Sequence, residues 1–283
     1  MKTRLPHYLT VVGLFLAAVG LSAPAYAEIR NTADCAPEWS YTTEPGWTHC
    51  TYFAEDRYGL VSGFADDGVL KARAEASADK TATSMRVGAT IEMSQYLTFN
   101  SAGLTGQPGR AITTSAVHGS TLMSPTGIGH LEAAGGVGLR IGSNTYSRLL
   151  GTTLNTDSEG SHEVQTAWGT ENGTPVPYTD LIPTSWEFIW GEPFLVTVTM
   201  SVAAVAVGHG LAGSYFDRSW YWTGVQSVTT FEGASVPYTL TSESGVDWSR
   251  SFATPVPEPA STILFPLGLL IVGAAARTRS RRR

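Results

Sequence analysis

Apolar and polar residues alternate along several stretches of this chain, with the period of two that is typical of half-buried β-strands. In the stretch 69–77 the apolar set is Leu70, Ala72, Ala74 and Ala76, and the positions between them carry charged or polar side chains. The same alternation recurs around 87–93 and 194–201, and turn-forming glycines and prolines separate the runs. No sustained helical pattern appears away from the two ends. These features predict an all-β fold, an antiparallel β-sandwich or jelly-roll-like domain.

The first 27 residues have the pattern of a secretory signal peptide. Lys2 and Arg4 precede an apolar run at 9–21, and residues 25–27 (AYA) form a small-x-small cleavage site. A first transmembrane helix is the alternative, but spanning a bilayer takes about 20 apolar residues. We therefore expect export, with residue 28 as the first residue of the mature chain.

The last segment, 254–283, combines three features. Pro257, Glu258 and Pro259 lie in a proline-rich stretch that favours an extended backbone. The uncharged run 260–276 just reaches across a thin bilayer core as a helix at about 1.5 Å per residue. The arginines that follow are Arg277, Arg279, Arg281, Arg282 and Arg283. They predict a cytoplasmic end for this transmembrane segment, which is interpreted either as an ordinary membrane anchor or as a removable sorting signal.

The order of these features resembles the PEP-CTERM sorting domain of exopolysaccharide-producing Gram-negative bacteria. Residues 256–261 (VPEPAS) match the signature of that family, and the apolar run and arginine cluster follow in its order. The resemblance implies that a membrane-embedded cysteine transpeptidase, the exosortase, recognises the motif and removes the tail. It divides the chain into a signal peptide (1–27), an exported domain (28–253) and a sorting signal (254–283). The expected location is the cell surface or the extracellular space, with membrane contact only through the C-terminal helix before processing.

A second resemblance covers residues 186–252, which are similar to the C-terminal half of many PEP-CTERM surface proteins. Residues 191–194 match a Gly-x-Pro-Phe element that precedes a strand, and residues 242–248 match a Ser-x-Ser-Gly-x-x-Trp element. Residues 216–217 depart from the family, because their Phe-Asp order is reversed. The resemblance implies a β-sandwich and assigns no catalytic residue.

The charge of the exported domain argues against nucleic acid as a partner. The whole chain has a formal net charge of −6, and removing both end segments takes away seven basic residues but only one acidic residue, which leaves about −12. Such a surface repels phosphate and anionic lipid. It suits divalent cations or a neutral polysaccharide instead.

The two cysteines, Cys35 and Cys50, both lie in the exported domain. In an oxidising compartment the expected state is a disulfide between them. The bond closes a short loop, which stabilises a domain by about 3 kcal/mol in the chain-entropy model. A metal site formed by His49 and the two cysteines is the alternative, but it offers only three ligands, and they lack the paired spacing that is typical of zinc sites.

Motifs for catalysis are missing from the linear sequence. A Gly-x-Ser-x-Gly nucleophile elbow, a Ser-x-x-Lys pair and a His-Glu-x-x-His zinc motif are all absent. The glycine-rich stretch 127–142 is interpreted as a flexible loop or a hairpin rather than a phosphate-binding loop. We predict no enzyme, no catalytic residue and no cofactor.

Two weaker metal hypotheses remain. His130 and Glu132 are the one pair expected to line a single strand face and share a metal ion. The acidic segments 66–68 and 157–160 can hold Ca²⁺ through carboxylate and carbonyl oxygens, although neither has the full alternating Asp pattern. Plain Asp/Gly turns are the favoured interpretation.

Tryptophan is the most suggestive residue type in the domain. The eight tryptophans are Trp39, Trp47, Trp168, Trp186, Trp190, Trp220, Trp222 and Trp248. Because sugar rings stack on exposed indoles, Trp220 and Trp222 are candidate carbohydrate contacts, and the alternative is that they fill the core. The resulting hypothesis is a non-catalytic surface or matrix protein associated with exopolysaccharide and biofilm. A specific lectin-like module is the alternative, and a hydrolase acting on the matrix is a weaker one.

Overall fold

Antiparallel strands make up most of the described chain. The computed structural model describes residues 28–33, 40–44, 47–157 and 159–252, with side chains from residue 48 onward except 158 and 217–219. The strands are β1 (Glu28–Ala33), β2 (Ser40–Glu44), β3 (Trp47–Ala54), β4 (Arg57–Asp66), β5 (Val69–Asn100), β6 (Pro108–Val117), β7 (Ser120–Ile141), β8 (Asn144–Asp157), β9 (Gly160–Glu171), β10 (Thr174–Val176), β11 (Leu181–Ile189), β12 (Pro193–Thr230) and β13 (Thr239–Ser242). No helix occurs within these described ranges, which confirms the all-β, antiparallel prediction.

All strands belong to one sheet with β12 near its centre. The main order is β10-β9-β8-β7-β12-β5-β4-β3-β2. One edge of β12 pairs with β5, while its other edge pairs with β7 and then, further along, with β6. Strand β11 pairs with β6, and both β1 and β13 pair with β5 beyond the end of β4.

The predicted alternation is confirmed in the two longest strands. The stretches 69–77 and 87–93 both lie in β5, and the stretch 194–201 begins β12. Their apolar positions share the face that is buried: Leu70, Ala72, Ala74, Ala76, Val87, Ala89, Ile91, Met93, Val196, Val198 and Met200. The opposite face of the sheet is called the outer face below.

The sheet curls because β12 bends sharply. Phe194 and Trp222, near the two ends of β12, both have ring centroids close to the ring of Trp186, at 6.0 Å and 6.2 Å. In a straight strand these two residues would stand about 90 Å apart at about 3.3 Å per residue. A register shift between Val207 and Gly208 and the positive φ of Gly208 (86°) place one bend there. The inner face therefore packs against itself and forms the core.

Aromatic rings fill the core at the place where the sheet closes on itself. Phe99 lies at the centre of this group, with centroid distances of 4.4 Å to Phe188 and 5.6 Å to Phe194. Most of the described indoles are buried nearby: Trp186, Trp190, Trp220, Trp222 and Trp248. Rings of this size contribute much of the buried apolar area of a domain.

The glycine-rich stretch 127–142 forms the first strand of a hairpin and the start of its turn, so the hairpin interpretation is confirmed and the flexible loop is wrong. Most of it lies in β7, which pairs with both β8 and β12. The physical reason is close packing, because a Cβ atom at Gly135 would overlap the ring of Phe216. Glycine here makes room for an aromatic side chain instead of loosening the backbone.

Candidate functional site

Trp220 and Trp222 lie in the core. Both side chains are 0% exposed, and the Nε1 of Trp222 donates a hydrogen bond to the carbonyl of Trp248 at 2.9 Å. A sugar ring needs an indole face that reaches solvent, so the prediction that these two residues contact carbohydrate is wrong. They share the face of β12 that points into the curl of the sheet, and sequence alone did not show which face that would be.

Several predicted features fall outside the described residues. These are the signal peptide, the Pro257-Glu258-Pro259 motif, the apolar run after it and the terminal arginines. Within the described ranges, no helix has the length and apolar character needed to cross a membrane. Cys50 is buried and disulfide-bonded. Its predicted partner, Cys35, is not among the described residues, so the pairing itself stays a prediction.

The acidic turns use their carboxylates locally. Asp157 Oδ1 accepts hydrogen bonds from the backbone N–H groups of Glu159 (2.8 Å) and Gly160 (3.1 Å). Asp66 Oδ1 accepts one from the N–H of Asp67 at 2.8 Å. In the part of the chain that the structure describes, no three His, Cys, Asp or Glu residues form a metal-binding group. The geometry favours plain Asx-type turns.

His130 and Glu132 do share one strand face, as predicted, but they form a hydrogen bond with each other, which is an ion pair when His130 is protonated. His130 Nε2 lies 2.7 Å from Glu132 Oε1, and His130 Nδ1 donates to Asn155 Oδ1 at 2.6 Å. The hydrogen bond with Glu132 raises the pKa of His130, against the effect of partial burial, and the bond to Asn155 raises it further. The same bond lowers the pKa of Glu132, again against burial. Both imidazole nitrogens are engaged, which leaves neither free for a metal ion.

This pair predicts a pH-dependent contribution to stability. Because the pKa of His130 is raised, the stability that His130 contributes is fully present below pH 6.5, its ordinary pKa, and is lost as the pH rises through the raised pKa. Because the pKa of Glu132 is lowered, the stability that Glu132 contributes is fully present above pH 4.5, its ordinary pKa, and is lost as the pH falls through the lowered pKa. The stabilisation is therefore largest between about pH 4.5 and 6.5 and, at this partly exposed site, stays below about 1 kcal/mol.

Thermal unfolding of the wild type and of His130→Gln at pH 6 and pH 9 checks this prediction. The difference in melting temperature is expected to be larger at pH 6. Glu132→Gln is the matched variant and is expected to show the same pH dependence. An equal difference at both pH values would contradict the assignment of the effect to this pair.

A second group of polar and aromatic side chains lies on the outer face of the sheet. This outer-face cluster consists of Tyr58 from β4, Arg73 and Glu75 from β5, and Tyr215 from β12. Arg73 is the direct register partner of Tyr215, and Glu75 follows Arg73 by two residues on the same side of β5. The pairing of the three strands therefore brings these residues together from distant parts of the chain.

An ion pair holds the centre of the outer-face cluster. Arg73 Nε donates to Glu75 Oε1 at 3.1 Å, and the Nη2 of the same guanidinium also contacts that oxygen. The guanidinium Cζ lies 5.1 Å from the ring centroid of Tyr215, a cation–π geometry. Glu75 is 8% exposed, so its charge is largely removed from water and depends on these partners.

Burial and the charge at the centre of the cluster hold its phenols in the neutral form. Partial burial, followed by a hydrogen bond to Glu75 and the charge of that carboxylate, raises the pKa of Tyr215 to about 12. Burial and then the charge of Glu75 also raise the pKa of Tyr58. At neutral pH both hydroxyl groups keep their protons. Tyr215 donates its proton to Glu75, which leaves its oxygen to accept from a ligand hydroxyl, whereas the Tyr58 hydroxyl can donate to one.

The rings of the cluster lie at the surface. Tyr58 and Tyr215 are partly exposed, and the Tyr215 ring lies over Gly213, where a Cβ would stand 2.5 Å from the ring. Phe53, which is 75% exposed, packs against Tyr58 with a centroid distance of 4.8 Å. The combination offers aromatic surface next to a hydrogen-bonding ion pair.

No protein-family model matches the chain, and neither a curated protein nor a solved structure matches it at a significant level. Function is therefore inferred from the residues of the chain itself.

Sequence reasoning missed the outer-face cluster for an identifiable reason. The alternation at 69–77 already placed Arg73 and Glu75 on one polar strand face. It did not indicate that Tyr215 would lie beside them, because this depends on the register between β5 and β12. The neighbouring indoles of Trp220 and Trp222 gave a stronger signal in the sequence and pointed to the wrong face.

Proposed function

We propose that this chain is an exported, non-catalytic surface or matrix protein that is processed by an exosortase and associates with exopolysaccharide. The two end segments of the sequence support the proposed export and processing, since a signal-peptide pattern precedes the domain and a PEP-CTERM-like tail follows it. The architecture we propose for the domain is a β-sandwich, in which the bend of β12 turns one half of the curled sheet onto the other. Its final location is the cell surface or the biofilm matrix.

The polysaccharide contact is proposed at the outer-face cluster. The observation that carries this proposal is the pair of partly exposed phenol rings, Tyr58 and Tyr215, on either side of the Arg73–Glu75 ion pair. Sugars bind proteins through their apolar C–H faces, which stack on aromatic rings, and through hydroxyl groups that bond to polar side chains. The cluster supplies both kinds of group on one surface. A neutral polymer fits best, because the domain carries excess negative charge.

Tyr215→Ala tests this proposal by removing one stacking surface. We expect it to weaken binding to exopolysaccharide from the producing cells by roughly tenfold, because one aromatic contact is worth about 1 kcal/mol or more. Co-sedimentation of the protein with the polysaccharide over a range of concentrations gives the affinity. The far-ultraviolet circular dichroism of the variant should match that of the wild type.

Phe231→Ala is the matched control. Phe231 is another exposed aromatic residue, but it follows β12 and packs against Arg110, away from the cluster. We expect its binding to be unchanged. If Tyr215→Ala and Phe231→Ala bind alike, the outer-face cluster is not the contact. If the wild type does not bind at all, association with exopolysaccharide is itself excluded for this domain.

A further inference from the structure

Strand β9 has an open edge at one end of the sheet. Its residues 160–167 are exposed on both faces, and Val164 is 59% exposed. One edge of β9 pairs with β8 along its whole length. On the other edge, β10 pairs only with residues 169–171, so among the described residues nothing pairs with the outer edge of 160–168.

This edge lacks most of the features by which proteins usually protect such strands, and Glu163 is the one carboxylate in it. An open edge presents unpaired N–H and C=O groups that can bind another strand, and prolines, lysines or bulges commonly prevent this. The stretch 160–168 (GSHEVQTAW) contains neither proline nor lysine. Its pairing with β8 runs from Tyr146↔Glu171 to Asp157↔Gly160 without a register shift. The edge is therefore regular and able to accept a partner strand.

We infer that the open edge of β9 pairs antiparallel with the same edge of a second copy of this chain. The open stretch ends at the β8–β9 turn on one side and at β10 on the other. These two boundaries are equally far from Val164. Pairing centred on Val164 uses the whole stretch in both copies, and the strand of the other copy ends next to Val176, the last residue of β10.

The sequence of the stretch is compatible with itself in this register. Val164 lies opposite Val164 of the second copy, so two exposed apolar side chains cover each other. Glu163 lies opposite Gln165, and His162 lies opposite Thr166. No charged side chain faces one of like charge, which is the arrangement that would oppose pairing.

A cysteine substitution tests the register directly in the full chain. Directly opposite residues in an antiparallel pair have Cβ atoms about 4.5–5.5 Å apart, close enough for a disulfide after a small adjustment. We expect Val164→Cys to form a covalent dimer under mild oxidation by copper–phenanthroline. Thr166→Cys is the matched control, because its two copies would stand about 13 Å apart along the strands. Non-reducing gel electrophoresis of the protein purified from membranes in detergent gives the dimer fraction.

Two outcomes would overturn the inference. One is the absence of a Val164→Cys dimer in a protein that is folded by circular dichroism, and the other is equal cross-linking of both variants. As a second test, Val164→Lys places like charges opposite each other and should lower the dimer mass seen by light scattering, whereas Val164→Thr should keep it. The inference does not depend on polysaccharide binding, because β9 contributes no residue to the outer-face cluster.

Discussion

Trp222→Ala is expected to lower the free energy of unfolding by about 3–5 kcal/mol, the range for truncating a buried Phe or Trp. The indole is fully buried and lies 5.5 Å from the ring of Trp248 and 6.2 Å from that of Trp186. Its removal leaves a cavity at the closure of the curled sheet. It also leaves the carbonyl of Trp248 without the hydrogen bond that Trp222 Nε1 donates. Urea unfolding followed by fluorescence measures the loss.

Trp168→Ala is the control for this prediction. Trp168 lies in β9 and is partly exposed, so its truncation leaves no enclosed cavity and should cost clearly less than that of Trp222. If Trp222→Ala instead kept full stability and lost polysaccharide binding, the core position of Trp222 would be contradicted. The carbohydrate role predicted from sequence would then return.

Gly208→Ala is expected to destabilise the domain by about 2–5 kcal/mol, through the backbone rather than through a cavity. A positive φ costs an L-residue about 1–2 kcal/mol, and an overpacked position adds about 1–3 kcal/mol. Gly208 has a φ of 86°, and a Cβ there would stand 2.5 Å from the carbonyl oxygen of Ile128. That oxygen belongs to the paired strand β7 and cannot move without disturbing the ladder. The same urea titration measures the effect.

Gly142→Ala separates the two contributions. Gly142 also has a positive φ, of 58°, but nothing lies within 4 Å of a Cβ at that position. Its substitution should therefore cost only the conformational part, about 1–2 kcal/mol. If Gly142→Ala and Gly208→Ala lost the same free energy of unfolding, the close approach of β7 and β12 at the bend would add nothing measurable to the cost of Gly208→Ala.

The local strands of this fold were predictable from sequence, whereas its long-range geometry was not. Alternation identified the buried faces of the stretches 69–77 and 87–93 because a strand with one face in the core must repeat every two residues. It did not indicate that both stretches lie in one strand, since residues 79–84 between them include several exposed polar side chains. The bend at Gly208 depends on Gly208, Gly210 and a bulge, and none of these has a periodic signal.

In the candidate site, too, the local features were predictable from sequence and the long-range contacts were not. The outward direction of Arg73 is a local property, and its alternation with Ala72 and Ala74 predicted it. The meeting of Arg73 with Tyr215 is a property of register, which depends on all of the pairs between β5 and β12 together. The indoles of Trp220 and Trp222 lie inward for a comparable reason, because the curl of the sheet decides which face is enclosed.

The position of β12 in the chain has a consequence for the time at which the domain can fold. Tyr221 of β12 pairs with Val69, and Trp220 pairs with Val117, both far earlier in the sequence. Closing such large loops before any pairing is gained makes folding slow. The central strand is also among the last to be synthesised, so the earlier strands have no completed sheet to join until it appears. If the chain is exported as proposed, the local hairpins can pair early but the core would stay unassembled until β12 is available.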